Sequence, residues 1–292
     1  MKPSHFSIAR LAAGAASAAT AVGVAAQVRA ADLMGQPTNG AIDFQPAATL
    51  LRQKAMNFND FVLTPILVGI CALVLGLLLW CIVRYNARTH PTPARFTHNT
   101  KVEVLWTVGP VLILLVMAIF SFRLLFDYHD MPTPYLTVKA TGYQWYWGYA
   151  YPGLKIDEEI SNVLPEDQAK AKGVPYMLAT NQPLMAPVGK VVHVLVTGAD
   201  VIHSFSVPAF GIKIDAVPGR VNDTWFKADR VGTFYGQCSQ LCGTDHAFMP
   251  IEVKVVSQAD FNAWVASKQH PAPAAPTATA AAQPAPAAPA KS

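Results

Sequence analysis

Charged residues are scarce in this chain: only 14% of its 292 residues are Asp, Glu, Lys or Arg, whereas 52% are hydrophobic. This composition is too apolar for an ordinary soluble enzyme and indicates segments that lie in a membrane. The sequence also has no internal repeat, no glycine motif for binding phosphate and no Cys-x-x-Cys-His motif. A repeat protein, a nucleotide-binding enzyme and a covalently attached haem are therefore not indicated.

Excess positive charge is confined to one part of the chain. The formal net charge is +4, yet residues 127–270 contain 14 acidic and 11 basic side chains and so have a net charge of −3. The positive residues therefore lie nearer the N-terminus, and the basic balance of the whole chain does not indicate nucleic acid as a partner.

Cysteine is also rare, and its four positions do not suggest a disulfide framework. Cys71 and Cys81 lie in one apolar run, whereas Cys238 and Cys242 share a short motif much further along the chain. This distribution points away from a set of cross-links.

Residues 1–31 are predicted to be a secretory signal peptide. Lys2 and Arg10 supply the positive start, an uncharged alanine-rich stretch follows, and Val28-Arg29-Ala30 provides a cleavage sequence. A retained membrane helix is the alternative, but the apolar run is too short to cross a bilayer comfortably. Residues 32–60 would then form an N-terminal periplasmic segment.

Two long uncharged runs predict a transmembrane hairpin over residues 61–126. Phe61–Val83 has 23 residues and Val104–Phe122 has 19. Each is long enough to cross a hydrocarbon core of about 30 Å as a helix. Both could instead be buried core helices, but two such lengths close together favour membrane spans. The predicted helices cover about 61–84 and 104–126.

The charges around this hairpin predict its orientation. Glu103 is the only acid of the connecting loop, which carries four basic residues, whereas the outer flanks are acidic. The basic residues are Arg84, Arg88, Arg95 and Lys101, and the flanking acids are Asp60, Asp127 and Asp130. The positive-inside rule then assigns the loop to the cytoplasm. We expect a multi-pass protein of the bacterial inner membrane whose N-terminus and following domain are periplasmic.

Residues 127–268 are predicted to form a periplasmic all-β domain. Short strand-like runs alternate with Pro, Gly, Asn and Asp, which is typical of a β-sandwich or barrel. The clearest runs are 136–140, 191–196, 223–227 and 251–256, and a short helical pattern covers 260–268. Residues 269–292 are mostly Ala, Pro and Thr with almost no charge, and they are predicted to be a disordered tail.

One segment of this domain carries metal-binding chemistry. It reads Cys238-Ser-Gln-Leu-Cys242-Gly-Thr-Asp-His246-Ala-Phe-Met249, and His203 adds an upstream imidazole. Thiolate, imidazole and thioether donors together suit copper far better than calcium or magnesium. A blue-copper site needs only one cysteine, whereas two thiolates four residues apart can bridge two metal ions. One histidine and one weak ligand, either Met249 or a loop carbonyl, remain for each ion.

Two other uses of the motif compete with copper. Cys238 and Cys242 can form a disulfide in an oxidising compartment, and two cysteines with two histidines can bind zinc. The His246-x-x-Met249 spacing and the upstream His203 favour copper over both.

Several motifs together resemble the cytochrome c oxidase subunit II family, in the bacterial form with an export signal. The resemblance runs from about residue 57 to 268 and includes the two-helix hairpin. Its motifs are Val102-Glu103-x-x-Trp106-Thr107, Gly142-Tyr-Gln-Trp145-Tyr-Trp147, Asp200-Val-Ile-His203-Ser-Phe, Asp215-Ala-Val-Pro-Gly-Arg220, Tyr235-Gly-Gln-Cys238 and Cys242-x3-His246-x2-Met249-Pro250. It implies a membrane-anchored all-β fold, in which a cupredoxin-like β-barrel follows a transmembrane hairpin.

The resemblance also implies a function and partners. Members of this family accept single electrons from cytochrome c at a dinuclear copper centre, CuA. They pass these electrons to haem in subunit I of a proton-pumping terminal oxidase, where haem and CuB reduce oxygen to water. Subunit III is a further expected partner. This chain is not expected to perform oxygen chemistry, because nothing in its sequence ligates haem.

The resemblance implies roles for particular residues as well. The copper ligands would be the side chains of His203, Cys238, Cys242, His246 and Met249 and the backbone carbonyl of Gln240. Trp145 matches the tryptophan that receives electrons from cytochrome c, although a lone Trp on a barrel strand more often packs, as expected of Trp147. Glu103 matches a carboxylate near the cytoplasmic mouth of a proton channel in subunit I. A helix-start acid favoured by the helix dipole is its alternative.

Two departures from the family pattern affect these expectations. Gln240 stands where the family usually has a Glu that also binds a magnesium ion shared with subunit I, and a neutral amide is a weaker ligand for this cation. Ala150 and Ala199 stand where acids are common around the cytochrome dock. Asp200 remains as the acid expected nearest that surface. A separate acidic cluster, at 157–159 and 166–167, either compensates or is a solvated loop.

Three rival functions remain to be weighed against this one. Subunit II of a quinol oxidase shares the hairpin and barrel but typically lacks the copper ligands. The CuA domain of a nitrous oxide reductase belongs to a soluble enzyme, which the hairpin argues against. A copper-delivery protein usually has an exposed site rich in Met or Cys, with no need for Trp145 beside bridged metals.

Overall fold

The computed structural model describes residues 34–92 and 94–269. The predicted signal peptide, and the predicted tail beyond Gln269, lie outside these residues and stay predictions. Within the described residues, a helical hairpin precedes a domain rich in β-strands.

Long apolar helices build the hairpin. α1 (Leu50–Phe58) continues through a π-helical turn (Asn59–Leu63) into α2 (Thr64–Arg84), and α3 (Thr100–His129) returns. The side chains of Thr49 and Asn99 cap α1 and α3, because each accepts a hydrogen bond from a backbone N–H three residues later. In the most apolar window of each helix no residue is buried within the chain. Both helices are therefore long and apolar enough to cross a membrane, as predicted.

Both helices extend beyond the predicted spans at the end nearest the β-domain. The first starts at Leu50 and the second ends at His129, whereas the predicted bounds were about 61 and 126. The added turns are polar and bond to the β-domain. Thr49 Oγ1 donates to a backbone carbonyl of that domain at 2.8 Å, and the Tyr128 hydroxyl donates to another at 2.9 Å. A prediction from composition ends a helix where its apolar run ends. Packing against a neighbouring domain stabilises further turns beyond that point.

The β-domain contains ten strands in the described part of the chain. They are β1 (Leu136–Tyr143), β2 (Tyr146–Tyr151), β3 (Ile156–Ser161), β4 (Leu184–Pro187), β5 (Val192–Gly198), β6 (His203–Val207), β7 (Ile212–Ala216), β8 (Asn222–Phe226), β9 (Gly232–Gln237) and β10 (Pro250–Val256). Two helices accompany them, α4 (Glu166–Lys172) and α5 (Gln258–Gln269). Each of the four strand runs indicated by the sequence overlaps one of these strands, and α5 covers the predicted helix.

Three sheets enclose the main hydrophobic core. Their strand orders are β3-β2-β1-β5-β8, β4-β10-β9 and β6-β7. β1 pairs in parallel with β5, and β4 with β10, while the other pairs are antiparallel. Along β5, buried and half-buried residues alternate, as expected of a strand with one face on the core. Large aromatic side chains fill the core: Phe205, Phe210, Phe226 and Phe234. The predicted all-β domain is confirmed.

Candidate metal centre

The cysteine motif occupies the loop between β9 and β10. Cys238 and Met249 lie at the two bases of this loop, where the Cys238 N–H donates to the Met249 carbonyl oxygen at 3.4 Å. The N–H of Ser239 donates to the carbonyl oxygen of Ser204 on β6 at 3.1 Å. Because β6 begins at His203, these bonds bring the cysteine loop and the upstream histidine together.

Three buried side chains form the compact part of the site. The ligand atoms of His203, Cys238 and Cys242 all lie within 4.8 Å of one another. The two Sγ atoms are 3.9 Å apart, and Nδ1 of His203 is 3.9 Å from Sγ of Cys238. A disulfide bond is about 2.05 Å long. The two cysteines are therefore free thiols, and the disulfide interpretation is not supported.

Three further donors lie around the two sulfurs. Nδ1 of His246 is 3.4 Å and Sδ of Met249 is 3.5 Å from Sγ of Cys242. The carbonyl oxygen of Gln240 is 3.3 Å from Sγ of Cys238. The structure thus brings together all six positions expected to supply ligands. Their number exceeds the four ligands of a tetrahedral zinc site, and their sulfur and imidazole donors suit copper.

The two thiols differ in acidity. Burial alone would raise the pKa of Cys238, but a hydrogen bond with His203 is the main opposing cause, and the pKa falls to about 6. Burial and the neighbouring charge of Cys238 raise the pKa of Cys242 to about 12. One of the two thiols therefore loses its proton readily, and the second becomes a thiolate only when a cation lies beside it. That is the electrostatic condition for holding a metal between two thiolates.

Asp200 fixes the orientation of His203. Its Oδ1 lies 2.9 Å from Nε2 of the imidazole. The backbone N–H groups of Gln144 and Val201 donate to the same carboxylate at 2.7 and 2.6 Å. Burial raises the pKa of Asp200, but the bonds with His203 and the backbone outweigh it and lower the pKa. A carboxylate on Nε2 leaves Nδ1 to face the sulfurs, and such partners orient metal-binding imidazoles.

Gly142 and Gln144 support the site, although the sequence alone gave them no role. A Cβ atom at Gly142 would lie 2.8 Å from Cδ2 of His203, so only glycine lets β1 run this close to the imidazole. Gln144 Nε2 donates to the carbonyl oxygen of Cys242 at 2.8 Å, while its backbone N–H holds Asp200. Both residues lie in the aromatic motif on which the family resemblance partly rests. That motif was the sequence signal from which their role could have been found.

The two tryptophans of that motif have different surroundings. Trp147 is fully buried, and its ring meets the His203 ring edge-on with centroids 6.1 Å apart. Trp145 is half-buried. A Cβ atom at Gly243 would lie 3.0 Å from Cζ2 of Trp145, so this ring packs on the backbone next to Cys242. The indole nitrogen of Trp145 has no hydrogen-bond partner among the described residues.

Glu103 lies apart from the metal-binding residues. It is half-buried in the first turn of α3, at the end where the hairpin loop joins this helix. α3 has 30 residues and so is about 45 Å long at 1.5 Å per residue. The β-domain packs on the opposite end of α3, so the structure does not bring Glu103 to the metal-binding residues.

The fold and the site together define a class of protein. Two helices long and apolar enough to span a membrane carry a β-domain, and a loop of that domain gathers a ligand cluster like that of a copper site. Two family models match the chain. "Cytochrome C oxidase subunit II, transmembrane domain" matches residues 37–124, and "Cytochrome C oxidase subunit II, periplasmic domain" matches residues 136–256. The chain belongs to the cytochrome c oxidase subunit II family.

Relatives are similar along most of the chain. Cytochrome c oxidase subunit 2 of Cereibacter sphaeroides is 43% identical over 272 residues, covering 86% of this chain and 88% of the relative. A probable cytochrome c oxidase subunit 2 of Rickettsia bellii is 44% identical over 233 residues, covering 80% and 86%. The crystal structure of the periplasmic domain of subunit II of cytochrome oxidase of Bradyrhizobium japonicum is 52% identical. It covers 48% of this chain and 96% of that chain, with a TM-score of 0.45.

Family membership confirms the resemblance seen in the sequence. The chain is a membrane-anchored subunit of the haem–copper oxidase, an oxidoreductase complex in which it works with other subunits. Its β-domain has the cupredoxin-like fold of the family's periplasmic domain.

Proposed function

We propose that this chain is the subunit through which a proton-pumping cytochrome c oxidase receives its electrons. It would accept single electrons from cytochrome c at a dinuclear CuA centre and pass them to haem in subunit I for the reduction of oxygen to water. The observation that carries this proposal is the set of six donors gathered around two free thiols 3.9 Å apart. Subunits I and III and a c-type cytochrome are the proposed partners.

The proposed copper ligands are His203, Cys238, Cys242, His246, Met249 and the backbone carbonyl of Gln240. Two copper ions held by Cys238 and Cys242 would share one unpaired electron, so that little charge would change on either metal when an electron arrived. The protein's contribution is to hold the donors still, which lowers the reorganisation that transfer requires. His203 is wholly buried, bonded to Asp200 and packed against Gly142, so its imidazole has little freedom to move.

Trp145 is the proposed receiver of electrons from the docked cytochrome. Trp145 is half-buried and its ring packs on the backbone beside Cys242, so a route from the surface to a ligand through this residue is short. The neighbouring Gln144 ties the same strand end to the Cys242 carbonyl oxygen. Trp147 is fully buried beneath the site, which supports a packing role for it.

Docking is proposed to combine weak electrostatic steering with apolar contact. The side chain of Asp200 is 34% exposed, so it can contribute negative potential towards a lysine-rich cytochrome face. Because residues 127–270 have a net charge of only −3, that steering should be modest. Apolar side chains near the site are also exposed: Ile202, Leu241 and Phe248.

The membrane topology and the proton-channel role of Glu103 are proposed from charge and position. The basic loop between α2 and α3 favours the cytoplasm and the β-domain the periplasm of a bacterial inner membrane. Glu103 would then lie at the cytoplasmic mouth of a proton channel in subunit I. Gln240 is proposed only for its carbonyl, because its exposed amide is a weak ligand for magnesium. A magnesium site shared with subunit I stays a prediction.

The proposal is tested by the electron paramagnetic resonance spectrum of the copper-loaded full-length chain in detergent. A seven-line copper pattern is expected, because one electron shared by two copper nuclei couples to both. A four-line pattern would indicate isolated copper ions, as in a copper-delivery protein, and would contradict the proposal. In the assembled oxidase, reduced cytochrome c should reduce the centre rapidly, whereas a quinol should not.

A further inference from the structure

A groove runs along the hairpin where its apolar part meets the β-domain. It consists of two adjoining cavities that share Lys54 and Asp127 in their walls. The lower cavity, of about 410 Å³, lies between the π-helical turn and α3. The upper cavity, of about 560 Å³, lies between α1, the end of α3 and the turn after β8.

The lower cavity lies at the boundary of the apolar runs. The uncharged stretches of the two long helices end at Phe61 and Phe122, and the next residues are Asp60 and Arg123. The walls of this cavity include three phenylalanine rings, Phe58, Phe61 and Phe120. In a bilayer this level is where hydrocarbon gives way to headgroups.

Cationic side chains of the groove are not all satisfied by the protein. Lys54 pairs with Asp127 at 2.8 Å, and Arg230 pairs with Asp229 at 2.6 Å. Arg123 lines the lower cavity, is exposed and forms no ion pair among the described residues. It lies six residues before the end of α3, about 9 Å along the axis. At the boundary between hydrocarbon and headgroups, the long arginine side chain can reach an anion of the interface.

We propose that this groove binds one phospholipid from the leaflet on the side of the β-domain. The phosphodiester would bond to Arg123, the glycerol and upper acyl carbons would lie on the phenylalanine rings, and the headgroup would occupy the upper cavity. A planar guanidinium suits this ligand, because it offers paired N–H donors to phosphate oxygens. The order of phenylalanine rings, cation and wider cavity with charged side chains in its wall matches the order of groups along a phospholipid.

The groove is independent of the copper site, so its test does not depend on metal loading. The delipidated full-length chain in detergent would be titrated with phosphatidylethanolamine and, separately, with phosphate-free diacylglycerol, and bound lipid counted by native mass spectrometry. One phospholipid should bind in preference to diacylglycerol, and excess inorganic phosphate should not displace it. Equal binding of the two lipids, or displacement by phosphate alone, would overturn the proposal.

Variants distinguish phospholipid bound in the groove from lipid that binds non-specifically around the hairpin. Arg123→Gln should lower phospholipid affinity about tenfold or more, because it removes a charge-assisted contact. Arg123→Lys should retain part of it. Arg84→Gln, at the opposite end of the hairpin, is the matched control and should change nothing. If Arg123→Gln does not fold, Val62→Trp, which fills the lower cavity without changing charge, should weaken binding instead.

Another oxidase subunit is the rival occupant of this groove. The same lipid count in the assembled oxidase decides between the two. Retention of one phospholipid that is lost in Arg123→Gln or Val62→Trp supports the lipid site. Binding to the isolated chain but not to the assembled oxidase would mean that protein covers the groove, and the proposal would be wrong.

Discussion

The carboxylate of Asp200 lies 2.9 Å from Nε2 of His203, an imidazole that is wholly buried. Two backbone N–H groups hold the same carboxylate, so the acid cannot turn away without breaking three bonds. Asp200 was expected from the sequence to serve cytochrome docking. The structure adds a contact with a proposed copper ligand, so one side chain joins the metal site to the surface.

Replacing Asp200 with Asn should therefore affect the metal as well as docking. Copper affinity should fall by about 10- to 100-fold, because partners of metal-binding histidines have effects of that size. Association with cytochrome c should slow and depend less on salt. Asp167→Asn on α4 removes the same charge away from the metal-binding residues and serves as the control for copper affinity. If both variants bind copper equally well, Asp200 does not position His203.

A second prediction concerns the number of metals. The unmodified chain should hold two copper ions and no zinc, because its donors outnumber the needs of one tetrahedral ion. Cys242→Ser should abolish the dinuclear spectrum and electron uptake. Cys71→Ser, within α2, should leave both unchanged. Metal analysis that finds a single copper, or zinc, in the unmodified chain would refute the dinuclear assignment.

Much of the fold and the whole proposed ligand set could be predicted from the sequence. The hairpin follows from two uncharged runs. The side-chain donors follow from residue types that cluster in one short segment plus His203, whereas the Gln240 carbonyl was implied only by the family resemblance. These signals are local, because most of the metal-binding donors lie close together in the sequence, between Cys238 and Met249. The same locality explains why the first helix was predicted to begin at about residue 61, which left out α1. Its polar turns are stabilised by the β-domain rather than by their own composition.

The contacts that support the metal-binding residues could not be predicted from the sequence, because they depend on the register of the strands. β1 pairs in parallel with β5, and Gly142 lies opposite Gly198. The residues just after these two positions therefore meet, and the Gln144 N–H reaches the Asp200 carboxylate across 56 positions of sequence. Likewise, the close approach that requires Gly142 exists only once His203 is placed on β6. Spacing along the chain does not contain that information.

Membrane topology gives a third prediction. Alkaline phosphatase, which is active only outside the cytoplasm, should be active when fused after Lys268 and inactive when fused after Arg95. The reason is the basic loop between α2 and α3, which favours the cytoplasmic side. The reverse pattern of activities would overturn the proposed orientation, and with it the position of Glu103 at the cytoplasmic face.

Glu252 makes a prediction about stability and pH. Burial raises the pKa of this carboxyl above its ordinary value of 4.5, although hydrogen bonds from Thr180 partly oppose the shift. A raised folded-state pKa means that stability is fully present below the unfolded pKa and is lost as pH rises through the folded pKa. Glu252→Gln removes the charge but keeps an acceptor for the Thr180 N–H.

Thermal unfolding of the full-length chain should therefore respond to pH in a specific way. Glu252→Gln should melt a few degrees higher than the unmodified chain at pH 7, and the difference should shrink below about pH 4.5. Glu166→Gln removes an exposed carboxylate whose surface ion pair contributes little, so its curve should follow the unmodified one. If the higher unfolding temperature of Glu252→Gln became still higher on acidification, the pKa of Glu252 would not be raised in the folded state.

The last prediction separates the two tryptophans of the aromatic motif. Trp145→Phe keeps an apolar ring but changes the electronic coupling and removes an indole N–H that makes no hydrogen bond among the described residues. Folding and the copper spectrum should therefore be nearly unchanged, as should affinity for cytochrome c. Electron transfer from cytochrome c should slow by orders of magnitude, which stopped-flow reduction of the copper-loaded chain would measure.

Trp147→Phe is the matched comparison, since it changes the same residue type two positions away. Trp147 is fully buried and packs edge-on against both His203 and Phe205, so its loss should lower the unfolding temperature through the space left in the core. Electron transfer from cytochrome c should slow only if the copper spectrum also changes. The reason is that the Trp147 ring packs against His203 in the core and does not face the cytochrome. If both variants slow transfer equally while their copper spectra stay intact, Trp145 has no special part in receiving electrons.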